Sequence, residues 1–479
     1  MTLARFSYVS LLCSTLLGCG GDATAALPEL PDAATTTPPA PTPDATPSPA
    51  PDAAEAPHAL TPVLVPVSPT GHDRFFGVAF ASDGSDAFYA TGQVAVSTDA
   101  SADFAMVVAR FRADGSLDAT FGTGGFAVEN VAVGTTGELA RGIVVQSTGK
   151  VIISGTIEHV GATDARDRDV ALLRFDASGT LDPSFGHNGV VVLDLSSGEA
   201  VGTGYVADSV WGLARTADDR LVVSAAQKRV GGTDSDFAVV RLSADGAIDP
   251  GFGTAGVATL DIEHASASPR ALSVLADGST IVTGYMNASG VTRPVVFKLD
   301  GAGQLVPTFG QGGVFNQAVL AASTEVYGAV VQGDKLITAG YGRAAASESL
   351  DWVSLRLDAD GTLDPTWGAG GLVRVDVAGF NDNARNLAAL DDGRVLVIGG
   401  GRPSESNVDA MIGMLTPAGA LDTSWSPTGY RLFDLGGASD FFWGIAVAPS
   451  RTHAVVVGVR GVGMSPGNDD AALLLVPLP

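Results

Sequence analysis

Cysteine is almost missing from this 479-residue chain: the two present, Cys13 and Cys19, both fall within the first 20 residues. Beyond them there is no disulfide, no thiolate nucleophile and no cysteine metal site. Basic residues are scarce as well, 27 Lys and Arg against 52 Asp and Glu, a net charge of -25. Such a balance repels phosphate backbones, so nucleic acid is excluded as an expected partner. The six histidines, His58, His72, His159, His187, His264 and His453, form no HxH or HxxxH pair, and no GxSxG elbow or P-loop occurs. Those absences leave no transition-metal, hydrolase or nucleotide motif. Acidic loops around Asp164 to Asp169, Asp234 to Asp236 and Asn468 to Asp470 offer hard oxygens to Ca²⁺, yet none has EF-hand spacing, so no cofactor is expected. Sustained helical periodicity is absent, while glycine is abundant at 61 residues. Short strands joined by tight turns are expected.

The first segment reads as an address. Arg5 precedes an apolar run from Phe6 to Leu17, a secretory signal over residues 1–18 that is too short to span a bilayer. Its end, Leu16-Leu17-Gly18-Cys19, resembles the lipobox of bacterial lipoproteins. That resemblance implies acyl chains on Cys19, anchorage to a membrane and, with Gly20 rather than Asp following, placement in the outer membrane of the cell envelope, open to the cell surface. Residues 19–60 are Ala, Pro, Thr and Asp, with ten prolines between Pro28 and Pro57. No core forms from that composition, and a disordered, semi-rigid tether is expected.

Residues 61–479 carry an internal repeat. LDATFGTGG from Leu117 returns as LDPSFGHNG from Leu181, IDPGFGTAG from Ile248, LVPTFGQGG from Leu305, LDPTWGAGG from Leu363 and LDTSWSPTG from Leu421. The aromatic of this box steps from Phe121 through Phe185, Phe252, Phe309 and Trp367 to Trp425, 57 to 67 residues apart. That period suits four short strands, a to d, and hence propeller blades. The second copy displays them: GIVVQ from Gly142, VIISG from Val151, DVALLRF from Asp169 and GVVVLDL from Gly189, with a-b links such as Asp83-Gly84, Asp277-Gly278 and Asp392-Gly393 made for tight hairpins. Strand a occurs seven times, from Gly77, Gly142, Gly212, Ala271, Gly328, Asn386 and Gly444, but the seventh copy ends without a strand d. The unpaired run Val63 to Val67 supplies one. The expected fold class is therefore all-β, a seven-bladed β-propeller closed by an N-terminal strand completing the last blade, with eight blades or an open solenoid as alternatives.

DFAVVRLSADGAIDPGFGTAG from Asp236, repeated over about 400 residues, resembles the delta-60 repeat family of bacterial β-propellers. The resemblance implies a secreted or surface propeller without a defined biochemical role. Copy four departs from the pattern with Arg293 and Val306 where other copies carry Asp. The box is also similar to the Asp-box of sialidases, but no carboxylate pair with an arginine cluster stands apart from the repeats, so sialidase activity is not carried over.

Recurrent polar residues read as scaffold. Asp118, Asp182, Asp249, Asp364 and Asp422 are placed to accept backbone N–H bonds in the turn before strand d, and Arg110, Arg174, Arg241, Lys298 and Arg356 to form inter-blade ion pairs or solvated edges. The residues immediately before each strand a are different in kind: Phe76, Arg141, Trp211, Arg270, Tyr327, Arg385 and Trp443 alternate aromatic with arginine. Placed around one end of a ring, they form a candidate ligand-binding mouth for an acidic glycan or an acidic peptide end. The competing expectation has these side chains filling the d-a corners, with the arginines paired to Glu138 and Asp382. Because nearly every polar residue repeats, the expected function is a monomeric, non-catalytic binding scaffold whose protein, peptide or glycan ligand is unspecified, an extracellular polysaccharide hydrolase or lyase being the alternative.

Overall fold

The computed structural model describes residues 60–68, 71–96, 103–135, 137–160, 167–196, 200–201, 204–205, 208–228, 234–461 and 469–478. The signal, Cys19, the tether up to residue 59, and the loop residues Asp164 and Asn468 lie outside them. Every regular element among the described residues is a β-strand. In the second repeat Leu139–Val145, Val151–Glu158, Arg168–Phe175 and Val190–Leu193 pair antiparallel in sequence order. The strands are β-branched runs, and the a-b hairpin closes where Gly149 takes φ 83°, a conformation in which a side chain is strained. Four-stranded sheets of the same order begin at Arg74, Ser209, Asn383 and, at the end of the chain, Phe441. The repeats beginning at Ala267 and Ser323 are linked into one larger sheet by a parallel bridge between Thr292 and Ser323.

The last sheet draws its outer strand from the other end of the chain. Val63–Val65 pairs antiparallel with Asp470–Pro477, Val63 opposite Leu473 and Val65 opposite Ala471. This strand stops at Val65, two residues short of the apolar run, because the Val67 and Ser68 N–H groups both turn to the Asp73 carboxylate at 2.8 Å. Strand a of each repeat starts three to five residues earlier than the glycine-led runs suggest, at Arg74, Leu139, Ser209, Ala267, Ser323, Asn383 and Phe441. Strand d is shorter: Gly189 belongs to the box turn, where its N–H donates to the Phe185 carbonyl. A two-residue hairpin, Ala200–Val201 with Gly204–Tyr205, follows the second repeat and carries no signal in the sequence pattern.

Strands b and c form the cores, as where Val151 to Ile153 and Val170 to Leu173 are fully buried. The innermost strands lie side by side in chain order, and Phe441–Val447 lies beside Arg74–Phe80. Glycine permits the approach: a Cβ on Gly77 would stand 2.5 Å from the Arg141 carbonyl oxygen of the neighbouring strand. The same contact brings the residues just before these glycines together at one place.

Candidate functional site: an arginine and aromatic ring

In all seven innermost strands the pairing with strand b skips one residue, and the skipped residues are Phe76, Arg141, Trp211, Arg270, Tyr327, Arg385 and Trp443. Each is the extra residue of a β-bulge, a device that frees a side chain from the alternation of its strand and re-aims it. All seven line a single cavity of about 220 Å³, together with the small residues that follow them. The sequence alternation thus becomes a continuous stack. The Arg141 and Arg270 guanidiniums each stand 3.8 Å from the Trp211 ring centre. Two like charges that near one centroid occupy opposite faces. Tyr327 is covered in the same way by Arg270 at 4.6 Å and Arg385 at 4.5 Å. Arg385 continues to Trp443 at 4.5 Å, and Arg141 to Phe76 at 5.2 Å. Seven positions cannot alternate perfectly, and the mismatch falls where Phe76 meets Trp443 edge to face at 5.4 Å.

The three arginines are unequal. Arg270 is buried, and its fork is committed to Ser268 Oγ at 2.6 Å, the Pro269 carbonyl at 3.0 Å and the Tyr285 hydroxyl at 2.7 Å. Arg141 and Arg385 are half-buried and make no hydrogen bond or ion pair to any described residue; the Arg385 Nε is itself buried without a partner. No carboxylate among the described residues lines the cavity. Burial and the neighbouring charges of Arg270 and Arg385 push the Arg141 guanidinium down to about 9. Glu325, which feels the charges of Arg270 and Arg385, accepts a hydrogen bond from the Tyr341 hydroxyl at 2.9 Å; Tyr341 in turn lies 3.0 Å from the Tyr327 hydroxyl. Burial raises Glu325, with Arg270 and Arg385 working against it. Burial also pushes the Tyr285 phenol up to about 12 and Tyr341 upward.

The acids proposed as partners of these arginines are engaged elsewhere. Glu138 accepts the N–H groups of Val131 and Ala132, and Asp382 those of Val377 and Arg402. They belong to a series that sequence reasoning missed: Asp73, Glu138, Asp208, Asp382 and Asp440 each stand three residues before a ring residue and are essentially unexposed. Each carboxylate caps the backbone of the d-a corner. Their spacing, acid-x-x-ring residue, was present in the sequence as a signal.

The repeated box joins neighbouring repeats. The Arg174, Arg241 and Arg356 Nε atoms lie 2.8–2.9 Å from Asp182, Asp249 and Asp364. The same guanidiniums cover Phe185, Phe252 and Trp367 at 4.6–4.8 Å. In the first repeat the Arg110–Asp118 pair opens to 3.5 Å, and in the sixth Arg394 replaces the missing strand-c arginine, 3.2 Å from Asp422. Phe121 and Phe309 are buried and Trp425 is half-buried. The glycine after the aromatic reaches the next repeat, as Gly253 N–H does to the Ala302 carbonyl at 2.8 Å. Three further groups, His159 with Asp169 and Asp194, Asp234 with Asp261 and His264, and Asp409 with Asp434 and Asp440, bring acidic and imidazole atoms within 4.8 Å of one another.

A family model described as a β-propeller domain of unknown function, DUF5122, matches residues 94–121, 146–185, 216–252 and 332–366. The chain carries β-propeller repeats. These matches run from strand b, of which the first includes only the last two residues, through strand c into the first part of the box, and leave the ring residues outside every matched segment. No curated protein matches the chain in sequence. Among solved structures, a protein of unknown function from Dyadobacter fermentans is 10% identical, with 87% of this chain and 98% of that one covered and a TM-score of 0.46. The polysaccharide lyase Uly1 is 10% identical, with 84% and 90% covered and a TM-score of 0.46. A glucose dehydrogenase is 13% identical, with 68% and 93% covered and a TM-score of 0.38. These similarities bear on neither activity nor ligand.

Proposed function

We propose that this chain is a cell-envelope lipoprotein, anchored through Cys19, that displays a seven-bladed β-propeller as a non-catalytic binding scaffold. In this reading Val63–Val65 closes the ring by completing the last blade, which the pairing with Asp470–Pro477 and the contact between the first and last innermost strands support. The mouth of the channel takes an anionic ligand, an acidic glycan or an acidic peptide end. The observation that carries this is a cavity lined by Arg141, Arg270 and Arg385 and by no carboxylate among the described residues, inside a chain whose net charge is -25. Cations gathered against the overall charge of a protein focus a field on an anion.

The second reading is a polysaccharide hydrolase or lyase. Its support is the hydrogen-bonded run from Tyr327 through Tyr341 to Glu325, next to Arg270 and Arg385. The raised phenols of Tyr285 and Tyr341 stay protonated at neutral pH, so neither supplies a base. A glycan array followed by a reducing-sugar assay on each hit separates the two: retained ligand without new reducing ends supports the scaffold, and release of reducing ends overturns it. Loss of array binding in Arg270→Ala, Trp211→Ala and Trp443→Ala is expected, whereas unchanged affinity in all three removes the mouth as the site. For the anchor, wild-type protein should enter the detergent phase of a partition and Cys19→Ala should not.

A further inference from the structure

The faces of Trp211 and Tyr327 are covered on both sides by guanidiniums, so these rings offer no free platform on which a sugar ring could stack. What stacking leaves available on a guanidinium is its edge, the row of N–H donors in the plane of the group. Arg141, Arg270 and Arg385 all line one cavity; the edges of Arg141 and Arg385 are uncommitted, while the terminal nitrogens of Arg270 are taken and it contributes its charge. Glu325 feels the charges of Arg270 and Arg385, and no carboxylate among the described residues lines the cavity itself. A carboxylate presents its acceptor sites in one plane. A tetrahedral group presents three equivalent oxygens out of plane, which suits two forks arriving from different directions beside the fixed charge of Arg270.

Resting on the reading of the mouth as a binding site, we propose that its anchor is a tetrahedral oxyanion, the sulfate or phosphate ester group of the ligand, held by Arg141, Arg270 and Arg385. The cavity, about 220 Å³, is smaller than the 300–1,000 Å³ typical of pockets that enclose a whole small molecule. The charged group therefore enters, and the remainder of the ligand lies outside the cavity. Arg270, its terminal nitrogens held by Ser268, Pro269, Tyr285 and Tyr327, supplies a fixed positive charge, while Arg141 and Arg385, with no hydrogen-bond partner among the described residues, turn their forks to the anion.

The test uses the full-length chain in detergent and reads intrinsic tryptophan fluorescence, since Trp211 and Trp443 touch the arginines that would respond. Sodium sulfate, sodium phosphate, acetate, glucuronate, glucose 6-sulfate and glucose 6-phosphate are titrated at an ionic strength held constant with chloride. Saturable binding of sulfate or phosphate at least tenfold tighter than of acetate and glucuronate is expected, and the two sugar esters show which oxyanion is preferred. Arg385→Lys keeps the charge but not the fork and should weaken oxyanion binding about tenfold, with Arg141→Gln doing the same. The wild-type order of affinities decides the matter even if a variant misfolds. Equal or tighter binding of acetate and glucuronate overturns the oxyanion anchor while leaving an anion-binding mouth. Binding of none of these anions, alongside an array hit that survives mutation of the ring, overturns both.

Discussion

Gly444, in the innermost strand of the last repeat, packs directly against Phe76 in the first: a Cβ at 444 would stand 2.9 Å from the Phe76 carbonyl oxygen and 3.2 Å from the Gly77 Cα. The contact sets the innermost strands of the first and last repeats against each other beside two bulged residues, and it depends on the absence of a side chain. Gly444→Val should cost about 1–3 kcal/mol in denaturant unfolding, the usual range for overpacking a tight contact. Gly301→Ala is the control, because its nearest neighbour would be 3.9 Å away. A Gly444→Val midpoint equal to that of the control would mean that the two strands are not tightly opposed.

Closure by the N-terminal strand makes a second prediction. Val65 is 4% exposed and lies opposite Ala471, in a cluster with Phe75, Val457 and Leu473. Deleting residues 61–67 strips the outer edge from Asp470–Pro477 and should produce aggregation on heating, since an unpaired apolar edge recruits other chains. Deleting residues 24–55 should leave the melting temperature where it was. A chain starting at Arg74 that stays monomeric and melts like the full-length protein would remove the proposed closure.

The fourth repeat contains a natural double substitution in the box, and it yields a third prediction. Where other repeats pair Arg with Asp, this one has Lys298 and Val306, yet the backbone bond from Val306 N–H to the Lys298 carbonyl persists at 2.9 Å. The pair is therefore dispensable as a unit. Breaking it from one side is a different matter, because a buried charge is left without its partner. Asp364→Val should destabilise by about 3–5 kcal/mol, while Asp364→Val combined with Arg356→Lys should recover most of the loss. Additive losses in the double variant would show that the two side chains act independently.

Periodicity made the strands and the box legible, because a feature that returns every 57 to 67 residues is visible without a structure. The alternation from Phe76 to Trp443 was legible for the same reason, and the structure lines one cavity with it. The bulges were not. A β-bulge changes hydrogen-bond pairing without demanding a particular residue, so strand a was expected to begin at Gly77 instead of Arg74. Nor could sequence tell which acids the arginines would meet: Glu138 and Asp382 are close in the chain to Arg141 and Arg385, but backbone N–H groups at the corner claim both carboxylates.

Those corner acids make the last prediction, which concerns pH. Burial, opposed in part by the backbone N–H groups they accept, pushes Asp73 and Asp382 up to about 6 and Glu138 and Asp208 up to about 7, and raises Asp440. An acid with a raised folded pKa holds a proton that the unfolded chain has already released. Its contribution is therefore present below the ordinary carboxylate range and is lost as pH rises to the folded value. The box works in the opposite sense. Hydrogen bonds from Thr366 and the charge of Arg356 bring Asp364 down to about 2, so its contribution exists above the ordinary value and fades in acid. The melting temperature should accordingly be highest near pH 4–5 and fall between pH 5 and 8. His159, raised by its hydrogen bond to Asp169, adds to the same downward slope, so the corners must be isolated by substitution. Asp73→Asn and Asp382→Asn keep an oxygen for the corner N–H groups but cannot ionise, and together they should flatten the decline between pH 5 and 8. An unchanged slope in the double variant would show that Asp73 and Asp382 do not contribute to it, and a wild-type melting temperature that rises from pH 5 to 8 would show that the corner carboxylates are not the groups that titrate.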